Sequence, residues 1–223
     1  MAKVFLSPSN QYDNVYAYGN TTEGVQCGKI ADACKIALER SGVYVMLMHD
    51  ESMQEKCAAS NAFDADLHVP IHTNAFNGKV MGTRMFCYSA DGKGMTACKA
   101  IFARLAPITP GESENIQVNA DYYEVRVPAA PTAYIECEFH DTVEGAKWIV
   151  ENTVLIGETI ARGICDYFGV KFVEKPKPVE PEKKDVLYRV QIGAYKIKAN
   201  AEKRQAEAKA AGFTDAFIVT VEQ

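Results

Sequence analysis

The residues best placed to do chemistry in this chain are histidines and carboxylates set inside apolar strands. His68-Val69-Pro70-Ile71-His72-Thr73-Asn74-Ala75 runs from an apolar stretch into a polar one, as a strand does on leaving a sheet. Alternation puts His68, Pro70 and His72 on one side, and only His72 stands at the exit, beside Thr73 and Asn74. Open α/β sheets build their sites at the carboxyl ends of strands. A lone histidine there is ordinarily a structural hydrogen bonder, so its company decides. That company is Ala133-Tyr134-Ile135-Glu136-Cys137-Glu138-Phe139-His140-Asp141, which carries two carboxylates at i, i+2. On a strand, Glu136 and Glu138 are expected to share a face. An acid buried in a strand is costly unless it is paired or bound to metal. Two readings stand here: a reactive carboxylate, or a glutamate paired with an arginine such as Arg84 or Arg126. His140 and Asp141 read as the cap of the helix that follows, because an acid suits a helix N-terminus. Asp64 and Asp66 read as a solvated turn, and His49 as incidental.

The elements that must hold these groups alternate in type. Lys3–Ser7 is a short apolar strand, and Glu23–Arg40 carries a helical stripe of Cys27, Ile30, Ala31, Cys34 and Leu38 that stops at Gly42. Val43–Met48, Asp66–Ile71, Thr83–Tyr88 and Ala133–Phe139 read as strands, and Tyr122–Val127 alternates. Ser52–Phe63, Met95–Leu105 and the long Val143–Phe168 read as helices. The pattern predicts an α/β fold, a mixed, mostly parallel sheet flanked by helices on both faces. Glu174 to Asp185, EKPKPVEPEKKD, holds three prolines and one apolar residue, too little to bury, and reads as an extended spacer. The expected organisation is a catalytic domain over 1–173, a linker over 174–185 and a small βαβ-like module over 186–223.

Composition narrows the classes. With 24 basic and 29 acidic side chains the formal charge is −5, which offers a phosphate backbone no general attraction. No apolar run approaches the ~20 residues of a membrane span. Seven scattered cysteines, with no CxxC pair, read as buried reduced thiols. Val4-Phe5-Leu6 is too short for a signal-peptide core, so synthesis in the cytoplasm is the expectation.

Ser7-Pro8-Ser9-Asn10-Gln11 after the first strand, Thr21-Thr22-Glu23 opening the first helix, the Asp66–Ala75 segment, and Ala133-Tyr134-Ile135-Glu136 with Phe139 together resemble the type 3 zinc-dependent N-acetylmuramoyl-L-alanine amidases. The resemblance spans roughly residues 3–170. It implies cleavage of the amide between the muramic acid lactyl group and the first alanine of the peptidoglycan stem. Carried over by position, Glu23 and His72 match zinc ligands and Glu136 the catalytic glutamate. The family's further ligand, a histidine just after the first strand, is missing. Asn10 holds the aligned position, Gln11 has the longer reach and is the expected third ligand, and Asp13 is another choice. Three protein ligands leave a fourth position open, where zinc lowers the pKa of water to about 7 and polarises a carbonyl. Glu136 then moves the proton from water to the leaving amine. Asn74 and Thr73 are expected to orient His72 or the substrate.

Tyr188-Arg189-Val190-Gln191-Ile192-Gly193-Ala194-Tyr195, a charged helix over Ala199–Ala211, and an Ala216–Val221 strand resemble the first half of a SPOR domain, a peptidoglycan-binding module. The implied partners are glycan strands and stem peptides, with action on the wall after release by lysis, as by an endolysin, or inside a mother cell. Two other readings are a wall-binding protein that has lost its metal and another zinc amidohydrolase or peptidase on the same scaffold.

Overall fold

The computed structural model describes residues 1–114, 116–175 and 188–221. Twelve elements are present among them: β1 (Lys3–Pro8), α1 (Glu23–Arg40), β2 (Tyr44–Leu47), α2 (Met53–Phe63), β3 (Leu67–Asn74), β4 (Arg84–Cys87), α3 (Lys93–Leu105), β5 (Gln117–Val118), α4 (Tyr123–Arg126), β6 (Tyr134–Phe139), α5 (Val143–Phe168) and α6 (Lys198–Ala210). The six strands form one sheet in the order β2-β1-β3-β6-β4-β5. All neighbours are parallel except β4 and β6, so the sheet is mixed and mostly parallel, as the alternating elements predict.

Strand parity divides the sheet. Val4, Leu6, Leu67, Val69, Ile71, Met85, Ile135 and Cys137 join the apolar core formed with α1, α3 and α5. The alternate residues, among them Phe5, Ser7, His68, His72 and Glu136, turn to the opposite face, where α2 and α4 lie. Ser7, His68, His72 and Glu136 thereby share one face of the sheet. All seven cysteines are buried and unpaired.

The central helix α5 lies against both α1 and α3 through missing side chains. A Cβ on Gly157 would stand 2.5 Å from the Ile30 carbonyl oxygen, and one on Gly163 would stand 2.5 Å from Ile101 Cα. Thr142 caps its start by accepting from the Gly145 amide at 3.0 Å, and Gly169 ends it at φ 66°. A break at Asn152 (φ −126°) goes with that side chain donating to the Trp148 carbonyl at 2.8 Å.

Several expectations are corrected. Tyr122–Val127 is not a strand but one helical turn, α4, which buries the adjacent Glu124 and Val125 as no alternating strand could. β5, only two residues long, carries no pattern and went unread. Beyond the spacer, α6 is present, but among the described residues 188–197 and 216–221 form no strand. A lone strand has no ladder to satisfy its amides and carbonyls. Most of the 174–185 spacer lies outside the described residues. Val173 and Glu174 lie within them and are held, the first by Ser41 and Arg40 and the second by Arg162. The chain divides into two units, Met1–Pro176 and Lys177–Gln223. No helix among the described residues is long and apolar enough to cross a membrane.

Candidate active site

The loop between β1 and α1 folds back on the helix start. The Glu23 amide donates to the Asn14 carbonyl at 2.9 Å and the Gly24 amide to the Gln11 carbonyl at 3.1 Å. Gly24 is required there, since a Cβ would stand 2.8 Å from the Tyr12 ring. Glu23 is thereby fixed as the first residue of α1, where the helix dipole favours its charge. Its carboxylate accepts from Gln11 Nε2 at 3.2 Å and Asn14 Nδ2 at 2.8 Å, and meets His72 Nδ1 at 3.0 Å. Burial pushes the Glu23 carboxyl up, but His72, with help from Asn14 and Ser9, brings it below its ordinary value.

His72 reaches this point from the exit of β3, in register with Glu136 on β6. Its ring stacks on Tyr134, with centroids 4.8 Å apart. Burial lowers its pKa, but Glu124 and Glu23 on its two sides outweigh this and raise it to about 9. Its Nε2 is buried without a hydrogen-bond partner, and so is Glu136 Oε2. Burial lifts the Glu136 carboxyl to about 8, with His72 pulling it down and Glu23 pushing it up. Arg84 does not pair with it. That guanidinium binds Glu114 at 2.9 Å and the Glu112 and Thr83 carbonyls, and lies over the Phe139 ring.

The other candidates separate. Gln11 lies against Glu23, whereas Asn10 turns away and donates to the Asp50 and Glu51 carbonyls. Asp13 is exposed. Asn74 accepts from the next amide, Ala75, at 2.8 Å, and its side chain makes no bond to His72. Thr73 has the opposite parity and bonds Tyr16 and His140, so it does not orient His72. Glu138 does not share the surroundings of Glu136, because the β3–β6 register shifts beyond His72. It accepts instead from the Gly82 and Phe139 amides. Asp141 is no helix cap: Thr142 takes that role, and Asp141 holds the Phe76 and Gly78 amides, both at 2.8 Å.

Sequence reasoning missed Glu124. It is buried behind His72, with Oε2 3.9 Å from His72 Nε2 and Oε1 3.4 Å from His68 Nε2, and it accepts from the Ser7 hydroxyl. The readable signal was an acid inside the apolar run Tyr122-Tyr123-Glu124-Val125. Lys56, just as buried, donates to the Pro8 carbonyl at 2.6 Å beneath the same loop.

Two groups of metal-type donors therefore exist. Cys57, His68 and Glu124 offer atoms within 4.8 Å of one another. However, both nitrogens of His68 are committed, to Ser60 and Glu124, and burial pushes the Cys57 thiol up to about 12. With its imidazole bonded on both sides, this group forms a hydrogen-bonded network behind His72. Glu23 and His72 fit a metal better. Two donors on a tetrahedral zinc, at bond lengths of roughly 2.0–2.2 Å, stand about 3.3 Å apart, close to the observed 3.0 Å. Gln11 turns its nitrogen to Glu23 and its oxygen to Asn14 Nδ2 at 3.0 Å, so to ligate a metal here its amide would have to turn and give up the Asn14 bond.

Residues 11–166 match the N-acetylmuramoyl-L-alanine amidase family and residues 171–222 the SPOR domain. The chain is 27% identical over 226 residues to the sporulation-specific N-acetylmuramoyl-L-alanine amidase of Bacillus subtilis (strain 168), an alignment covering 98% of this chain and 85% of that one. It is 26% identical, at the same coverage, to the N-acetylmuramoyl-L-alanine amidase CwlM of Bacillus licheniformis. Its fold resembles the catalytic domain of CwlV from Bacillus (Paenibacillus) polymyxa var. colistinus, with a TM-score of 0.68 at 16% identity over 77% of this chain and 100% of that one. It also resembles AmiC2 of Nostoc punctiforme, with a TM-score of 0.66 at 19% identity over 75% of this chain and 97% of that one. With a match that takes in more than half its length, the chain belongs to the N-acetylmuramoyl-L-alanine amidase family, and a SPOR domain follows its amidase domain.

Proposed function

We propose that the chain hydrolyses the amide between N-acetylmuramic acid and L-alanine in peptidoglycan, with Glu23, His72 and Gln11 holding a zinc ion and Glu136 acting as general base. The observation that carries this reading is electrostatic. Three buried carboxylates, Glu23, Glu124 and Glu136, surround one imidazole, and the Glu136 carboxyl is left partnerless on one oxygen. So much acid around a single ring calls for a cation. Bound there, zinc supplies the Lewis acid that polarises the scissile carbonyl and acidifies water.

The chain's own residues do the rest. Glu23 enters on a rigid helix start and His72 on a central strand, so neither has to be ordered at the moment of reaction. Glu136 is buried beside them and would take a proton from water and return it to the departing amine. The rings of Tyr12 and Tyr18 in the β1–α1 loop, and of Phe76 in the loop after β3, are exposed and would offer apolar surface to a glycopeptide. The segment over 186–223 acts as a wall-binding module, which raises the local concentration of the enzyme on an insoluble polymer.

Digestion of purified peptidoglycan tests this reading. Stem peptides with a free alanine amino group should appear without new reducing sugars. Glu136→Gln should cut turnover by roughly 10²–10⁴-fold, the usual worth of a general base, while metal content is kept. New reducing ends, or peptides cut within the stem, would replace the amidase with another hydrolase.

A further inference from the structure

Glu124 has no place in the reaction just described, yet it is built into the site as carefully as the ligands are. It lies on the single turn of α4 and is 3% exposed. Its Oε1 accepts from the Ser7 hydroxyl on β1 and faces His68 Nε2 at 3.4 Å, while Oε2 faces His72 Nε2 at 3.9 Å. His68 is itself clamped: its Nδ1 meets Ser60 Oγ at 3.0 Å and its ring stacks on Phe5, with centroids 5.3 Å apart. Three elements thus converge to aim one carboxylate at the back of His72.

The imidazole of His72 lies between two acids. Nδ1 is 3.0 Å from Glu23 Oε1, and Nε2, buried, has no hydrogen-bond partner. A metal held by Glu23 and His72 must bind through Nδ1, the nitrogen on the Glu23 side. The ring is then neutral and its one N–H is on Nε2, pointing at Glu124. A histidine ligand depends on such a partner, because a carboxylate on the far nitrogen fixes the tautomer, holds the ring plane and raises its basicity. We propose that Glu124 is the positioning residue of the metal site, accepting the Nε2–H of His72 and anchored from behind by Ser7 and His68. The inference rests on zinc being held at Glu23 and His72. Closing the 3.9 Å gap to a hydrogen bond asks for a shift of about 1 Å toward Glu124, the direction in which a cation entering between Glu23 and Nδ1 would displace the ring.

This role bears on the missing histidine of the β1–α1 loop. An amide in place of an imidazole is a weak donor. A second carboxylate behind the remaining histidine strengthens the ligand that is left, and it does so from a position that touches neither substrate nor metal.

The test is made on the full chain by zinc competition with a chromophoric chelator and by imidazole NMR on the zinc-loaded protein. In the parent, His72 should carry its proton on Nε2, exchange-protected and shifted downfield. Glu124→Gln should lower zinc affinity roughly 10–100-fold, the usual cost of losing such a partner, still bind one zinc at saturation, and move the Nε2–H resonance upfield. Glu124→Asp, which keeps the charge on a shorter arm, should recover part of the affinity. Unchanged affinity in a folded Glu124→Gln protein overturns the role. So does loss of all zinc at saturation, which would make Glu124 itself a ligand. If the substitution prevents folding, the parent spectrum decides alone: a proton on Nδ1 puts the metal on Nε2 and overturns the proposal. A parent that takes up no zinc overturns the metal reading and this one with it. A parent that binds zinc while Glu124→Gln is indifferent overturns only this one.

Discussion

At the scale of single residues, the position that sets this chain apart is the one after β1. Asn10 spends its side-chain amide on the Asp50 and Glu51 carbonyls, while Gln11 reaches Glu23 at 3.2 Å. Gln11→Ala should therefore lower zinc affinity sharply while Asn10→Ala and Asp13→Ala leave it near the parent value. Gln11→His should keep or raise it, since imidazole is the stronger ligand. Competition titration at fixed pH reads all four, and a drop confined to Asp13→Ala would assign a site of two carboxylates and one histidine. Glu138 gives a second prediction, of opposite kind. Burial lifts its carboxyl to about 7, against the pull of the Phe139 and Gly82 amides. A native pKa above the unfolded one means that folding takes up a proton. The group thus costs nothing at low pH, and its cost grows as pH rises through the carboxylate range to about 7. Glu138→Gln should be more stable than the parent at pH 8 and indistinguishable at pH 4 in chemical denaturation. An equal gain at both would mean that charge is not the cause. His72 and Glu136 stood out in the sequence because such residues are expensive in apolar strands, whereas Glu23, an ordinary acid at a helix start, was singled out only by the family resemblance. Glu124 was not, since its partners lie 117, 56 and 52 positions away.

At the scale of elements, long periodic segments were readable and short ones were not. Glu23–Arg40 and Val143–Phe168 appear with the bounds that their apolar stripes and stop residues imply. α4 and β5 are too short for any period to show, and tertiary packing decides them. The same packing fixes the site, because α1 must hold Glu23 at one height above the sheet. Its seat is the crossing on α5 at Gly157, where a methyl group would meet the Ile30 carbonyl oxygen at 2.5 Å. Gly157→Ala should cost about 1–3 kcal/mol in denaturant unfolding, the usual penalty of overpacking, and should also weaken zinc binding by displacing α1. Normal zinc affinity in a destabilised Gly157→Ala protein would show that the helix start is held by the β1–α1 loop alone.

At the scale of the whole molecule, two units divide near residue 176. The sequence reads 174–185 as a proline- and charge-rich linker, but the packed end of the first unit is not a matter of composition. Glu174 reads as linker yet is paired with Arg162, and the Val173 carbonyl accepts from Arg40 Nε at 2.8 Å. A chain ending at residue 176 should therefore fold, keep zinc and hydrolyse soluble muropeptides at the parent rate, while binding whole sacculi more weakly. A truncated protein that unfolds would show that the first unit depends on the second. The account as a whole stands on a cation between Glu23 and His72 serving an amide hydrolysis. The most direct measurement is release of stem peptides from purified sacculi by protein stripped of metal, before and after one equivalent of zinc, with metal content determined on the same samples. The stripped protein should release none, and one bound zinc per chain should restore release. Full release by protein shown to contain no metal would contradict the account.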